Sequence, residues 1–175
     1  MLLSPGDVRE ALRELAIELR DDGLTARIRV VGGAAVSLRV GREALTRDID
    51  ALVYPPSPDF AEVVRHVGER RGWAADWLND GVKAFVSHRD DEEDWDVMED
   101  EAGVTILVAQ PRLLLAMKLL AGRGRRDLQD VELLLDAIGI ANINEAEAVF
   151  DHFYPEEKIP PRSAAYLRSH FDAAP

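Results

Sequence analysis

Two short motifs lie close together in the chain and limit how it can fold. Residues 27–31 (RIRVV) have the pattern of a strand that ends in Gly32-Gly33, and Asp48-Ile49-Asp50 opens a second such pattern over 48–53. Glycines at a helix start let main-chain N–H groups approach a phosphate closely. A tight strand-to-helix turn explains the same glycines without a ligand. The region therefore predicts a strand, a turn, a short helix over 34–40 and a second strand.

The carboxylates of Asp48 and Asp50 are expected to point the same way, because side chains two positions apart share one face of an extended strand. Carboxylates that close repel each other unless a cation lies between them. Mg²⁺ is commonly held by one or two carboxylates, with substrate phosphates among its other ligands. An edge strand with a solvated polar face gives the same pattern. Both interpretations stay open from this motif alone.

The rest of the chain alternates between strand and helix patterns. Further strands are predicted over 82–87 and 104–109, and Pro111 is predicted to open a helix. The predicted helices run from Ser4 to about residue 21, over 59–71, 111–121 and 126–138, from an Asn144 cap to about Phe153, and through the tail. These patterns predict an α+β fold. Residues 1–110 would form a small mixed sheet flanked by helices, and 111–175 a helical portion packed on it.

Composition excludes several classes of function. The chain has 33 acidic and 21 basic residues, a formal net charge of −12, which disfavours a broad basic surface for nucleic acid. It has no cysteine, which excludes disulfides, thiolate zinc sites and a cysteine nucleophile. Its apolar runs are far shorter than the roughly 20 residues that cross a bilayer. We therefore expect a soluble, cytoplasmic protein without membrane contact.

Charge is distributed unevenly along the sequence. Residues 90–101 (DDEEDWDVMEDE) hold nine carboxylates and no basic residue, a pattern that predicts a solvated, mobile loop. Residues 112–126 (RLLLAMKLLAGRGRR) hold five basic residues and no acidic one. The second stretch is a local positive site that is suited to a polyphosphate, despite the acidic whole.

At the level of motifs, the sequence resembles a known superfamily. VVGGAAVSL…REALTRDIDAL resembles the signature of nucleotidyltransferases with a polymerase-beta-like fold, in which a hydrophobic residue and two small residues precede a short helix and Asp-x-Asp. LLLAMKLLAGRGRRDLQDVELLL is similar to the Lys…Arg-Asp-x-x-Asp segment of AbiEii-type nucleotidyltransferases, the toxins of type IV toxin–antitoxin systems. The resemblance covers roughly residues 28–160.

The resemblance implies a role for each matching residue. Gly32 and Gly33 would lie against the nucleotide phosphates, and Asp48 and Asp50 would bind Mg²⁺. Lys118 would contact the triphosphate. Asp127 would order the site or help to take a proton, and Asp130, one turn later, would belong to the same nucleotide-binding segment. Read as ordinary helix residues, Lys118 would instead extend to solvent from an amphipathic helix, and the two aspartates would cap or complement a helix N-terminus.

The same resemblance implies an activity with several possible acceptors. A nucleoside monophosphate would pass from a nucleoside triphosphate to an acceptor hydroxyl, for example a tRNA 3′ end, with the protein acting as a toxin beside a cognate antitoxin. A protein hydroxyl, as in nucleotidylating antitoxins that act on a cognate toxin, is the nearest alternative.

One departure from the superfamily pattern bears on activity. Polymerase-type members carry a third carboxylate on a following strand, and neither VKAFVS nor VTILVA contains one. Asp80, Asp94 and Asp96 are the nearby carboxylates that would have to substitute. A non-catalytic nucleotide- or partner-binding module of the same fold therefore stays open.

Overall fold

The computed structural model describes residues 2–41 and 45–172, with the backbone alone for Arg126. Residues 42–44 of the Gly-Gly to Asp-x-Asp motif lie outside the described residues. The chain divides into two compact units. The first, here the sheet unit, comprises Met1–Lys83 and Trp95–Ala109, and the second, the helical unit, comprises Ala84–Asp94 and Gln110–Pro175. The two units thus meet in sequence near residue 110, and residues 84–94, which lie earlier in the chain, also belong to the helical unit.

Five strands form one mixed sheet in the sheet unit. They are β1 (Ala26–Val31), β2 (Ile49–Tyr54), β3 (Leu78–Asn79), β4 (Trp95–Glu101) and β5 (Val104–Ala109). Their order is β3-β2-β1-β5-β4. Strand β1 runs antiparallel to β2 and parallel to β5, β2 runs parallel to β3, and β4 runs antiparallel to β5. The predicted α+β class with a small mixed sheet is confirmed.

Three helices accompany the sheet: α1 (Pro5–Asp21), α2 (Gly32–Val40) and α3 (Pro58–Arg70). Ser4 starts α1 through a capping box, in which its hydroxyl accepts the N–H of Asp7 and the Asp7 carboxylate accepts the N–H of Ser4. Ser57 caps α3 just before a proline. Both starts follow from local sequence, since serine oxygens satisfy N–H groups that the first helical turn leaves without partners.

The helical unit contains α4 (Pro111–Ala121), α5 (Arg125–Ile138), α6 (Ile143–Phe153) and α7 (Pro161–Asp172). Gly122 and Gly139 end α4 and α5 with φ of 47° and 69°, a conformation that favours glycine. The cap of α6 is Asn142, and not Asn144 as predicted, because the Asn142 side chain accepts the N–H of Glu145. None of the helices in the described part of the chain is long and apolar enough for a bilayer crossing.

The strand predicted over 82–87 is absent, and the prediction was wrong. The segment contains a 3₁₀ turn, Lys83–Phe85, followed by irregular backbone. The Lys83 N–H bonds to the Asp80 carbonyl, and Phe85 and Ser87 bond within the helical unit instead of along a sheet. The Ser87 hydroxyl donates to the Phe153 carbonyl at 2.8 Å, and the Tyr154 hydroxyl donates to the Phe85 carbonyl at 2.5 Å.

Most of the acidic stretch is also ordered, contrary to the predicted mobile loop. Residues Trp95–Glu101 form β4, an edge strand paired with β5. Arg13, Arg20 and Arg39 lie against three of its carboxylates, those of Glu99, Glu101 and Asp96. Strand pairing and these cations offset the repulsion between like charges. An edge strand rich in charge also resists pairing with another chain.

Candidate functional site

The two aspartates lie where β2 begins, on the sheet face that we call the aspartate face. Asp50 pairs in register with Val31 of β1 on one side and with Asn79 of β3 on the other. Asp48 is two residues earlier, and both carboxylates are half-buried. Residues paired directly across strands share a face, as do residues two apart. The aspartate face therefore carries Asp48, Asp50 and Asn79 together.

The opposite face of the sheet is covered by helices. Arg39 near the end of α2 donates to the Val108 and Ala109 carbonyls at 2.8 and 3.2 Å, and its guanidinium pairs with Asp96. Asp96 is in register with Val108, and Val108 with Val30, which is fully buried. Asp96 thus points away from Asp50 and is not placed to complete its carboxylate set.

Gly32 packs very closely against the side chain of Asp50. Its φ is +66°, and a Cβ built on it would lie 2.2 Å from Oδ2 of Asp50. No residue with a side chain fits there while Asp50 keeps its position. Gly32 is the first residue of α2, which begins two residues earlier than the predicted 34–40 helix. The Asp50 carboxylate therefore packs against the main chain at a helix N-terminus.

The start of α2 has main-chain donors without intrahelical partners. Val31 is its N-cap and offers no side-chain hydrogen bond. Gly33 is half-buried, and its carbonyl accepts the Ser37 hydroxyl at 3.0 Å, within the helix. The first N–H groups of a helix have no partner in the helix, and the helix dipole makes this end attractive to anions. The glycine pair thus has the chemistry of a phosphate cradle next to two carboxylates.

Asn79 is a site residue that the sequence analysis missed. Its amide nitrogen donates to Oδ2 of Asp48 at 3.2 Å and to the Asp76 carbonyl at 3.3 Å. Its amide oxygen accepts the N–H of Gly81 at 2.9 Å and so ends β3. In the strand beside Asp-x-Asp, an amide faces the carboxylate pair. In the sequence, the strand that carries Asn79 is indicated only by a short apolar pair, Trp77-Leu78, before a polar turn.

Two other carboxylates, Asp80 and Asp94, were candidates for the third position. Asp80 follows Asn79 and is exposed, and the carboxylate of Asp94, in the helical unit, accepts the N–H of Asp91. Within the part of the chain that the structure describes, no three His, Cys, Asp or Glu residues form a group that could hold a metal ion. Among the described residues, Asp50 is the carboxylate shown against Gly32, and Asp48 lies two residues before it on the same face.

A cleft of about 320 Å³ opens beside this site within the sheet unit. Its apolar wall includes Leu52, Phe60 and Leu78, and its polar groups include Asn79, Asp80 and Lys83. Because Asn79 lines the cleft and bonds to Asp48, the cleft adjoins the aspartate pair. Its volume is in the lower range of small-molecule pockets.

The helical unit brings together the other three predicted residues. Nζ of Lys118 lies 2.8 Å from Oδ1 of Asp127 and 2.8 Å from Oδ2 of Asp130. Lys118 and Asp127 are each 7% exposed, and Asp130 is fully buried. Lys118 therefore does not extend to solvent as an amphipathic-helix lysine would. The cluster joins the end of α4 to the start of α5.

Asp127 contacts Lys118, near the end of α4, and Arg123, just before the start of α5. Burial alone would raise its pKa, but the hydrogen bond and charge of Lys118, with help from the Arg123 N–H, hold the pKa of this carboxyl below its usual value. Oδ2 accepts the Arg123 N–H at 3.1 Å and its Nε–H at 3.3 Å. Asp127 thus stays ionised and fixes the turn that leads into α5 as well as the lysine.

The basic stretch is only partly available to a ligand. Lys118 is buried in its ion pairs, and Arg112, Arg123 and Arg125 are exposed. The Arg123 guanidinium also lies over the Phe85 ring at 5.4 Å. The side chain of Arg126 lies outside the described residues.

This combination of fold and site defines a class of protein. A glycine-started helix after the first strand, with an Asp pair on the neighbouring strand of a mixed sheet, is the arrangement that the resemblance to nucleotidyltransferases implied. An antigenic nucleotidyltransferase-like protein from Paracoccidioides brasiliensis, whose crystal structure is known, has the same fold. The similarity covers 96% of this chain and 95% of that one, with a TM-score of 0.52 and 13% sequence identity.

Family membership rests on sequence. Residues 8–106 match the family "Nucleotidyl transferase of unknown function (DUF2204)", and the chain belongs to this family. The matched residues include the whole of the Gly32 and Asp48–Asp50 region. No functionally curated protein is significantly similar to the chain. The predicted superfamily is confirmed, and the narrower AbiEii-type relationship stays a prediction.

Proposed function

We propose that this protein is a Mg²⁺-dependent nucleotidyltransferase, which moves a nucleoside monophosphate from a nucleoside triphosphate to an acceptor hydroxyl. The observation that carries the proposal is the contact between the Asp50 carboxylate and the main chain of Gly32. It puts a metal-ligating group and a phosphate-binding helix start within one small volume. Phosphoryl transfer depends mainly on such positioning and charge stabilisation.

Asp48 and Asp50 are the residues that would hold Mg²⁺, since two carboxylates on one face suit a hard cation that also binds phosphates. When bound, the ion supplies positive charge for the phosphates and lowers the pKa of the attacking hydroxyl. Asn79 donates to Asp48 and so fixes the orientation of that carboxylate. The N–H groups at Gly32 and Gly33 would bind and orient phosphate oxygens.

The roles of Lys118, Asp127 and Asp130 at the triphosphate stay predictions. Within the helical unit, their ion pairs hold α4 and α5 together. The resemblance of this segment to AbiEii-type toxins supports a tRNA 3′ end as the acceptor, a cognate antitoxin as partner and a place in the cytoplasm. A protein hydroxyl is the alternative acceptor.

A specific observation favours a second candidate, a non-catalytic module of the same fold. Asn79 brings an amide, and no negative charge, to the strand position beside Asp50. The site then has fewer carboxylates to bind a metal ion than a polymerase-type site. Such a module would bind a nucleotide or a partner without turnover.

Label transfer tests the proposal. The protein is incubated with each α-³²P-labelled nucleoside triphosphate, Mg²⁺, total RNA and soluble cell protein. We expect label on one acceptor class and a loss of at least about 100-fold in Asp48→Asn and in Asp50→Asn, because each variant removes a charge that stabilises the phosphates. Both substitutions keep the side-chain shape, so thermal unfolding should stay near that of the unmodified chain.

The matched control is Asp22→Asn, which changes an exposed aspartate at the end of α1. It should transfer label at the normal rate. Label on RNA supports the tRNA acceptor, and label on protein supports the alternative. Absence of transfer with every nucleotide, or transfer that survives both site variants, would overturn the enzyme and leave the binding module.

Asn79→Asp gives a second prediction for the metal site. The new carboxylate would replace a donor that lies 3.2 Å from Asp48. Without divalent cations, repulsion should destabilise the variant by about 1–4 kcal/mol, the range for two charges about 4 Å apart at or near a protein surface. Mg²⁺ should reverse much of this loss. Thermal unfolding in EDTA and in Mg²⁺ measures both effects.

Asn79→Ser is the control for this test, because it removes the amide hydrogen bonds without adding charge. It should be destabilised equally in EDTA and in Mg²⁺. If Mg²⁺ stabilised the Asp variant no more than the Ser variant, a carboxylate at position 79 would not lie against a cation held by Asp48 and Asp50.

A further inference from the structure

The edge of β2 that faces β3 is open over most of its length. Strand β3 pairs only with Ile49 and Asp50, at the start of β2, while β1 occupies the opposite edge as far as Tyr54. The chain turns away after Asn79, the last residue of β3. In the described part of the chain, no strand pairs with residues 51–54 on the β3 side, and we call this side of 51–54 the open edge.

The open edge presents main-chain groups to a partner strand. Ile49 donates its N–H to the Trp77 carbonyl at 2.6 Å, toward β3. Main-chain groups of a strand alternate between its two edges, so those of Val53 point the same way, beyond the end of β3. The cleft of about 320 Å³ runs along this edge, because it is lined by four consecutive residues, 51–54, whose side chains alternate between the sheet faces. Such an edge is a template for an added strand.

The cleft and the phosphate cradle lie on opposite sides of the aspartate pair. Gly32 follows β1, on one side of β2, and packs against the Asp50 carboxylate. Asn79 of β3, on the other side of β2, donates to Asp48 and lines the cleft. In nucleotidyl transfer, the attacking and leaving oxygens are roughly in line across the phosphorus. With the pyrophosphate portion at Gly32, an acceptor would therefore approach from the cleft.

The chemistry of the cleft suits a polypeptide better than a nucleic acid. Its wall includes the apolar side chains of Leu52, Phe60 and Leu78. The charged side chains among its lining residues are Asp80 and Lys83, which are exposed and of opposite sign, so they give no net positive charge. RNA needs clustered Lys and Arg to neutralise its phosphates. An extended protein segment would instead bond to the open edge through its main chain and place apolar side chains against the wall.

We propose that the acceptor is a Ser, Thr or Tyr hydroxyl in an extended protein segment that adds as a strand to the open edge. This inference rests on the proposed function, because it names the acceptor of the same site. A segment residue in register with Leu52 shares the face of Asp50, with Cα atoms about 7–8 Å apart on the diagonal. Its oxygen forms the new bond to the α-phosphorus. The bond from that phosphorus to the bridging oxygen breaks, pyrophosphate leaves with the electron pair, and the hydroxyl proton passes to solvent.

A peptide library tests the acceptor class. Blocked nonapeptides with a central Ser, Thr or Tyr, randomised at the flanking positions, are incubated with α-³²P-labelled nucleoside triphosphate and Mg²⁺ beside total RNA. We expect label on the central hydroxyl, with apolar residues preferred beside it. Transfer should fall about 10-fold in Val53→Pro, which removes an N–H from the open edge, because one main-chain hydrogen bond is worth up to about that factor. Proline is tolerated on an edge strand, and thermal unfolding verifies that the variant is folded.

Binding without turnover gives an independent readout. The most heavily labelled peptide is added at saturation, without nucleotide or Mg²⁺, and amide exchange at Val53 is followed by NMR. Exchange at Val53 should slow, because strand addition gives its N–H an acceptor. Two analogues of the peptide are N-methylated at alternate residues, so that each keeps one main-chain edge intact. One analogue should bind and the other should not. If Val53→Pro does not fold, this difference carries the test with the unmodified chain.

The matched control is Val97→Pro, on the other edge strand, β4. The Val97 N–H points away from β5, because Asp94, three residues earlier in the same ladder, accepts the Gln110 N–H and main-chain groups alternate along a strand. This variant should label peptide at the normal rate. Label on RNA alone, equal transfer in Val53→Pro and Val97→Pro, or equal binding of the two analogues would overturn the proposal and leave the enzyme in place. Absence of transfer to every acceptor is instead failure of the proposed function, and the proposal fails with it.

Discussion

Gly32→Ala should abolish nucleotidyl transfer almost as fully as loss of Asp50, while leaving the chain folded. The added methyl would lie 2.2 Å from Oδ2 of Asp50, so the carboxylate must move out of the site. The φ of +66° adds strain of about 1–2 kcal/mol for a residue with a Cβ. We expect transfer to fall at least about 100-fold, as for loss of a charge-stabilising group, and the thermal midpoint to fall modestly.

Gly23→Ala separates the two effects. Gly23 has nearly the same φ, +68°, but nothing lies within 4 Å of a Cβ built there. It should show a similar loss of unfolding free energy with normal transfer. If Gly32→Ala were as active as Gly23→Ala, the closeness of Asp50 to Gly32 would have no role in the chemistry, and the proposed site would be wrong.

The parts of the site within one short stretch could be predicted from sequence. Gly32 and the Asp48–Asp50 pair lie within one strand–helix–strand segment, and strand alternation alone puts both carboxylates on one face. Asn79 reaches the same site only through strand pairing. Its position depends on which strand lies beside β2 and in what register. Single-sequence patterns contain no information on either.

Two sheet predictions failed for a related reason. The apolar alternation in 82–87 is typical of a strand, but Ser87 and Phe85 bond to α6 and the residue after it, Phe153 and Tyr154. The charges of 95–101 are typical of a loop, but this segment pairs with β5 as strand β4. Arginines from α1 and α2 lie opposite the carboxylates of β4. In both segments, tertiary partners outweigh local preference.

Lys118→Met should strongly destabilise the helical unit. It leaves Asp127 and the fully buried Asp130 without the ammonium that lies 2.8 Å from each. Breaking a buried ion pair from one side costs about 3–5 kcal/mol, since a buried charge is left uncompensated. Urea unfolding should show this loss. The exposed pair of Arg65 with Glu69 is the matched comparison, and Arg65→Met should change the midpoint far less.

The pH dependence of the unfolding free energy shows whether the loss of stability in Lys118→Met comes from the buried carboxylates. In the unmodified chain the pKa of Asp127 is lowered, so its contribution to stability is full above the unfolded-state pKa and is lost as pH falls through the folded-state value. Without Lys118, burial, the largest influence on this carboxyl, is opposed by Arg123 alone, and we expect the pKa of Asp127 to rise. The stability that protonation then gives is present at low pH and is lost as pH rises. The gap in unfolding free energy between the two proteins should therefore be larger at about pH 8 than at about pH 5.

A second substitution tests whether buried charge, and not lost packing, explains the effect. Adding Asp130→Asn to Lys118→Met removes one of the two carboxylates that have lost the ammonium and should recover a large part of the loss, because the two positions interact directly. Asp130→Asn alone should be destabilising. If the two changes were simply additive, the ion pairs would contribute nothing specific. Lys118 would then act only by its volume, and the cluster would not explain how α4 and α5 are held together.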